Sequence, residues 1–219
     1  MSPRHAWLPR YLIVAVALAV LAADVRVAAA QTWSVRGLFD VGATTLTATD
    51  SFDAVLGTAR STVIGGGGEV VLPQRIFANV RTSRFEQDGQ RVFVFQGEVF
   101  DLGIDTTIRL SQVDVTGGYR FFDLDRRVIP YVGGGLGWHH YEETSEFADP
   151  DENVDQTFRG YHIVGGAEVR LGRWFGVGGE VQWTTVPDAL GQEPNSVSAA
   201  FGETDLGGTS FRVRFVVGR

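Results

Sequence analysis

From Trp33 to Val217 the chain alternates apolar and polar side chains with a period of two, and no feature limits the possible folds more. Successive strand residues point to opposite faces, so each such run has one apolar and one polar face. In the last run Phe211, Val213, Phe215 and Val217 oppose Ser210, Arg212 and Arg214. Between Trp174 and Thr185, Phe175, Val177, Val181 and Trp183 oppose Glu180, Gln182 and Thr184. Before it, Tyr161, Ile163, Ala167, Val169 and Leu171 alternate with His162, Gly166, Glu168 and Arg170. Residues 112–121 set Val113, Val115, Tyr119 and Phe121 against Gln112, Asp114, Thr116 and Arg120, and Trp33, Val35, Phe39 and Val41 alternate with Ser34, Arg36 and Asp40. Three weaker runs, 61–72, 76–85 and 128–142, bring the strands to eight. Helical periodicity is missing, and no segment after residue 30 approaches the roughly eighteen consecutive apolar residues of a spanning helix.

The connections alternate in length. Long links at 46–59, 86–106, 143–156 and 186–203 take turns with short ones at Pro73-Gln74-Arg75, 122–127 and Gly172-Arg173. Long and short links therefore fall at opposite ends of the strands. Outer-membrane barrels sort their loops this way, with short periplasmic turns and long external loops, and an even strand number leaves both termini on the turn side. Strands of ten to sixteen residues suffice to cross when tilted. Phe121, Phe122, Tyr131, Trp174, Phe175 and Phe215 near the turns, and Trp138, Tyr161 and Trp183 some ten residues away, read as two interfacial girdles. Glycines at 65–68, 133–135, 165–166 and 178–179 fall inside strands, where a narrow barrel needs bends and close approach.

Residues 1–30 read as a cleaved signal peptide, with Arg4 and Arg10 before the apolar run 11–23 and Ala28-Ala29-Ala30 before Gln31. The remaining 31–219 then form one barrel domain, in which 16 arginines face 25 acids. There is no lysine, and the arginines are scattered, which excludes a nucleic-acid partner. Absent cysteine excludes thiol nucleophiles, disulfides and Cys-based zinc sites.

The signal peptide, the segment Pro130-Tyr131-Val132-Gly133-Gly134-Gly135-Leu136-Gly137, the later Gly165-Gly166-Ala167-Glu168 and the terminal Phe211-Arg212-Val213-Arg214-Phe215 resemble the small outer-membrane β-barrel family of porin-like, eight-stranded proteins. The resemblance covers essentially all of 31–219. It implies an all-β fold, an eight-stranded antiparallel up-and-down transmembrane barrel. It also implies an outer membrane of the Gram-negative type as the location, and membrane lipid, lipopolysaccharide and the barrel-assembly machinery as partners. Members typically end in an aromatic residue, whereas this chain runs past Phe215 to Val216-Val217-Gly218-Arg219.

With the apolar faces toward lipid, Arg36, Asp40, Glu69, Asp114, Arg120, Glu168, Arg170, Glu180, Arg212 and Arg214 point into the lumen. Eight strands leave room only for side chains, so these charges should pair and close it. Asp149, Asp151, Asn153 and Asp155 resemble the opening of a calcium loop, but Val154 stands where the turn needs glycine and Gly160 where the bidentate glutamate belongs. A solvated acidic loop is the plainer reading and weak cation binding the sharper one. His139, His140 and His162 could serve as a base, with Ser145 and Glu168 as nominal partners, yet no spacing selects a trio. In 91–104, Val92-Phe93-Val94-Phe95 and Val99-Phe100 flank Gln96-Gly97-Glu98, a hairpin continuing two strands beyond the membrane; a loop that stiffens the barrel rim is the plainer reading and strand addition by a surface partner the sharper one. The expectation is a monomeric, non-catalytic barrel with a structural or surface-interaction role, without cofactor or metal. The alternatives are a lipopolysaccharide-modifying enzyme and a soluble lipocalin-like barrel with its apolar faces inward.

Overall fold

The structure is a computed structural model that describes residues 33–95, 98–145, 153–192 and 196–218. The expected signal peptide and Asp149 and Asp151 of the acidic loop lie outside these residues. Eight strands follow one another: β1 (Ser34–Leu46), β2 (Arg60–Val71), β3 (Ile76–Phe95), β4 (Glu98–Arg120), β5 (Val128–Ser145), β6 (Val154–Arg170), β7 (Phe175–Thr185) and β8 (Gly208–Gly218). Each pairs antiparallel with its sequence neighbours, and β8 closes on β1, with Asp40 opposite Arg214 and Phe39 opposite Phe215. Closure leaves no unpaired edge around the wall, the condition for a sheet to cross hydrocarbon.

The parity of each strand decides what faces out. Val35, Phe39, Ile64, Val132, Ile163, Phe211 and Val213 are exposed on the outside, while Arg36, Asp40, Asp114, Glu168, Arg212 and Arg214 are buried inside. An apolar exterior over a charged interior overturns the lipocalin-like alternative. No helix among the described residues is long and apolar enough to cross a membrane; this chain crosses with strands.

The structure departs from the sequence expectations in four places. Two short helices occur where none is expected: α1 (Thr49–Leu56) in the first long link and α2 (Val197–Phe201) in the last. In α1 the apolar residues Phe52, Val55 and Leu56 have helical spacing, but a helix of about two turns is too short to register as a period. The helix ends at Gly57 in a left-handed conformation (φ 71°), whose N–H returns to the Asp53 carbonyl at 3.0 Å. Its free N-terminal amides are taken by a distant carboxylate, Glu203, which accepts from Asp50 N at 3.1 Å and Ser51 N at 2.8 Å.

Second, β3 and β4 run to 20 and 23 residues, so the link assigned to 86–106 is mostly paired strand. Third, Tyr131 is buried in the lumen, not in a girdle; its neighbour Ile129 shares the inward parity, and it stands opposite Arg120. Fourth, the interior is not polar throughout. Phe52 and Leu56 of α1 join Leu46, Phe85, Ile108, Leu110, Tyr141, Val186 and Leu206 in an apolar plug at the long-loop end, and Val71, Phe77, Tyr131 and Val164 form a smaller cluster toward the turns. Burying each large apolar side chain contributes about 1.5–3 kcal/mol, so the plug anchors α1 across the mouth.

Candidate functional site

Between the two apolar clusters the lumen is filled by charge. Arg36, Arg81, Arg120, Arg212 and Arg214 are buried together with Asp40, Glu69, Asp114, Glu168 and Glu180, five cations against five anions. A buried ion costs several kcal/mol in lost hydration, recovered only by close partners, so this balance is the condition for the layer to exist.

Toward the turns, two arginines and two glutamates form a ring. Arg36 donates to Glu168 Oε1 and Oε2, both at 2.9 Å, and through Nε to Glu69 Oε1 at 3.0 Å. Arg120 donates to the same two acids, to Glu69 at 2.7 and 3.0 Å and to Glu168 at 3.1 Å. Arg170 lies half-buried at the rim, 3.3 Å from Glu168. Above the ring, Glu180 collects Arg81 at 2.6 Å, Arg212 at 3.8 Å and Arg214. Asp40 is 3.2 Å from Arg214 and 3.7 Å from Arg81, while Asp114 is 3.7 Å from Arg81 and accepts from Gln182 at 3.1 Å. Tyr131 joins the layers. Its hydroxyl donates to Glu180 at 2.8 Å, and its ring lies 5.3 Å from the Arg120 guanidinium and 5.4 Å from that of Arg214.

Strand glycines give these large side chains their room. A Cβ at Gly118 would strike the Phe77 ring and the Val132 carbonyl, and one at Gly166 would stand 2.6 Å from the Tyr131 hydroxyl.

Sequence reasoning missed Arg81, which touches three of the five acids, along with Tyr131 and Gln182. The signal for Arg81 was present but mixed. Ile76 and Val80 face out and Asn79, Arg81 and Ser83 face in, yet Phe77, buried with the polar set, blurs the parity of β3.

The three histidines do not converge. His139 and His162 are buried in the lumen, where His162 Nε2 lies 2.9 Å from Thr116 Oγ1, while His140 occupies the opposite parity on the outer face. Ser145 Oγ pairs with Thr106 at 2.8 Å near the long-loop end of β5, and Glu168 belongs to the arginine ring near the other end. Of the acidic loop, Asn153 accepts from the Ser145 amide at 3.2 Å, and Asp155 faces His140 at 3.6 Å. In the β2–β3 turn Arg75 takes a left-handed conformation (φ 64°) and grips Asp123 of the β4–β5 turn with two hydrogen bonds of 2.9 Å. The Asp123 carboxylate holds the Arg75 pKa above its ordinary value.

Beyond the wall, β3 and β4 continue as a two-stranded ribbon. Among the described residues β2 pairs with β3 only as far as Arg84 and β5 with β4 only as far as Thr106; beyond these points α1 lies against β3 at Gly89, and no described strand pairs the outer edge of either ribbon strand. Phe93 stands opposite Phe100 and Val94 opposite Val99. Phe93, Phe95, Val99, Phe100 and Leu102 are exposed, and the Phe93 and Phe95 rings stack at 6.4 Å. A bulge between Arg91 and Val92, with Gly103 at φ 65°, bends the ribbon partway along its length.

Closed eight-strand topology, an apolar exterior between aromatic rims and a charged core together define a small transmembrane β-barrel. The chain belongs to the outer membrane protein beta-barrel domain family, whose sequence profile matches residues 15–217. Among solved structures it is similar to the N-terminal β-barrel domain of Pseudomonas aeruginosa OprF, with 12% identity, a TM-score of 0.53, and coverage of 87% of this chain and 100% of that one. It is similar also to Neisserial surface protein A, with 13% identity, a TM-score of 0.50, and coverage of 87% and 98%. At these identities the likeness shows the fold alone. No curated protein matches the chain.

Proposed function

We propose that the protein is a non-conducting, non-catalytic barrel of the outer membrane that holds its β3–β4 ribbon outside the cell as a contact surface. In this reading the chain is exported through a signal peptide cleaved after Ala30, inserted by the barrel-assembly machinery, and stands as a monomer in membrane lipid and lipopolysaccharide. One observation carries it: the five arginines and five acids cross-link the lumen from wall to wall beneath an apolar plug. An eight-stranded barrel has room for its own side chains and little else. The ribbon supports the surface role, because strand edges that pair with no other described strand, beside exposed phenylalanines, invite strand addition by a partner around residues 91–104. The separation of His139 and His162 from His140, and of Ser145 from Glu168, supports a barrel without catalysis.

Conductance of the purified protein in a planar bilayer tests the reading. The expected record is silent at physiological voltages; stable openings of porin size would overturn the closed lumen.

A further inference from the structure

On the outer face of the wall, beyond Trp138 on the long-loop side, β5 and β6 bring together three side chains that neither the lumen nor the ribbon uses. His140 and Glu142 are two residues apart on β5 and share a face. Antiparallel pairing sets Thr157 opposite His140 and Asp155 opposite Glu142. His140 Nε2 lies 3.2 Å from Glu142 Oε1 and 3.6 Å from Asp155 Oδ1, and one donor atom from each of the three residues lies within 4.8 Å of the other two. The other ring nitrogen, Nδ1, lies 3.0 Å from Thr157 Oγ1. Arg109 donates to the far oxygen of Glu142, Oε2, at 3.1 Å.

We propose that His140, Glu142 and Asp155 bind a divalent transition-metal ion through His140 Nε2 and one oxygen of each carboxylate, water completing the coordination. Three features carry this. Bonds of about 2.0–2.1 Å place neighbouring donor atoms of a tetrahedral or octahedral ion about 2.8–3.4 Å apart, and the distances from Nε2 fall in or just beyond that span. With Nδ1–H donating to Thr157 Oγ1, the Nε2 lone pair faces one oxygen of Glu142 and one of Asp155, so all three donors can share one bound cation. A hydrogen bond to the distal nitrogen is also the usual orienting support of a metal-bound imidazole, and Arg109 supports Glu142 in the same sense. The donor set selects the class of ion, since imidazole with carboxylates suits zinc, copper or nickel, whereas calcium and magnesium favour oxygen alone. Asp155 is exposed and His140 and Glu142 only half-buried, so the ion has an open approach from outside.

The test uses full-length protein without a histidine tag, folded in detergent micelles and titrated calorimetrically with zinc chloride. Saturable binding of one ion per chain is expected. His140→Ala should weaken it at least tenfold, and Thr157→Val, which removes only the support on Nδ1, by roughly tenfold. In nitrogen-15 spectra of ring-labelled protein, zinc should move the Nε2 resonance of His140 and leave those of His139 and His162 in place. Unchanged heat-dependent gel mobility establishes that each variant is folded. The proposal is overturned by wild-type protein that takes up no zinc, by undiminished binding in folded His140→Ala, by calcium binding as tightly as zinc, or by binding that is lost in Asp149→Asn/Asp151→Asn and kept in His140→Ala.

Discussion

Arg81 is the cation on which the upper charge layer turns, and replacing it with methionine tests the logic of the lumen. Methionine has nearly the same length and reach, so the substitution removes charge while leaving little cavity. Glu180 then keeps Arg212 and Arg214, and Asp40 keeps Arg214, whereas Asp114 is left with the Gln182 amide and a contact to His162 at 3.8 Å. Five buried acids face four buried arginines. Removing one partner of a buried pair costs about 3–5 kcal/mol, because the remaining charge stays desolvated without compensation. Asp114→Asn removes one acid at constant shape and preserves an acceptor for Gln182. Combined with Arg81→Met it restores the balance at four and four. The double variant should therefore be less destabilised than the sum of the singles by about 1–3 kcal/mol, the coupling expected of residues in one network. Urea unfolding in phospholipid vesicles, followed through the fluorescence of Trp138, Trp174 and Trp183 on the lipid face, measures all four corners of the cycle. An Arg81→Met protein within about 1 kcal/mol of wild type, or strictly additive variants, would refute the claim that charge balance governs the lumen.

Tyr131→Phe deletes the donor to Glu180 but keeps the ring against Arg120 and Arg214, so the loss should be about 1–3 kcal/mol in the same unfolding assay. A larger loss would mean that the ring itself had moved. Phe52→Ala, which empties the centre of the plug, should cost about 3–5 kcal/mol and speed amide exchange in α1 while bilayers stay silent; new conductance would shift the closing role from the ion pairs to the plug. Arg75→Gly should leave the urea midpoint nearly unchanged, since the pair with Asp123 is exposed and glycine takes the left-handed backbone without strain; a clear fall in the midpoint counts against that balance. An epitope inserted between Gln96 and Gly97 should bind antibody on intact cells, whereas one inserted at Asp125 should need permeabilised cells; the reverse pattern would invert the barrel.

What could be read from the residues depended on how each strand divides its two faces. In β8 Phe211, Val213 and Phe215 alternate cleanly with Arg212 and Arg214, and parity alone separates lipid from lumen. In β3 Phe77 sits on the charged side because Gly118 and Gly133 vacate space across the sheet, and no local pattern announces that accommodation. Tyr131 deceives in the same way: an aromatic near a turn suits a girdle until the pairing with Arg120 turns it inward. Partners are harder to read than parity. Arg36 with Glu168, 132 residues apart, and Glu203 with the amides of α1 are contacts made by barrel closure and loop folding, and sequence spacing carries no trace of them.

The same alternation explains why a charged filling is used where hydrocarbon would bind at least as well. Replacing a buried ion network with well-packed apolar side chains is often neutral or stabilising, by about 1–4 kcal/mol, so the folded state alone does not favour arginine and glutamate here. The difference lies before folding. A strand with apolar residues on both faces is a continuous apolar run of ten or so, and windows of five to seven such residues with high strand propensity and no charge are those that aggregate from an unfolded chain in water. With Arg212 and Arg214 between Phe211, Val213 and Phe215, β8 offers no such window. The apolar residues that do face inward are gathered mostly at the two ends of the lumen, several of them supplied by loops and α1, where Phe52, Leu56, Ala189 and Leu206 lie outside the strands. The ion-pair layer is therefore the interior that a barrel can have when each of its strands must first stay soluble alone.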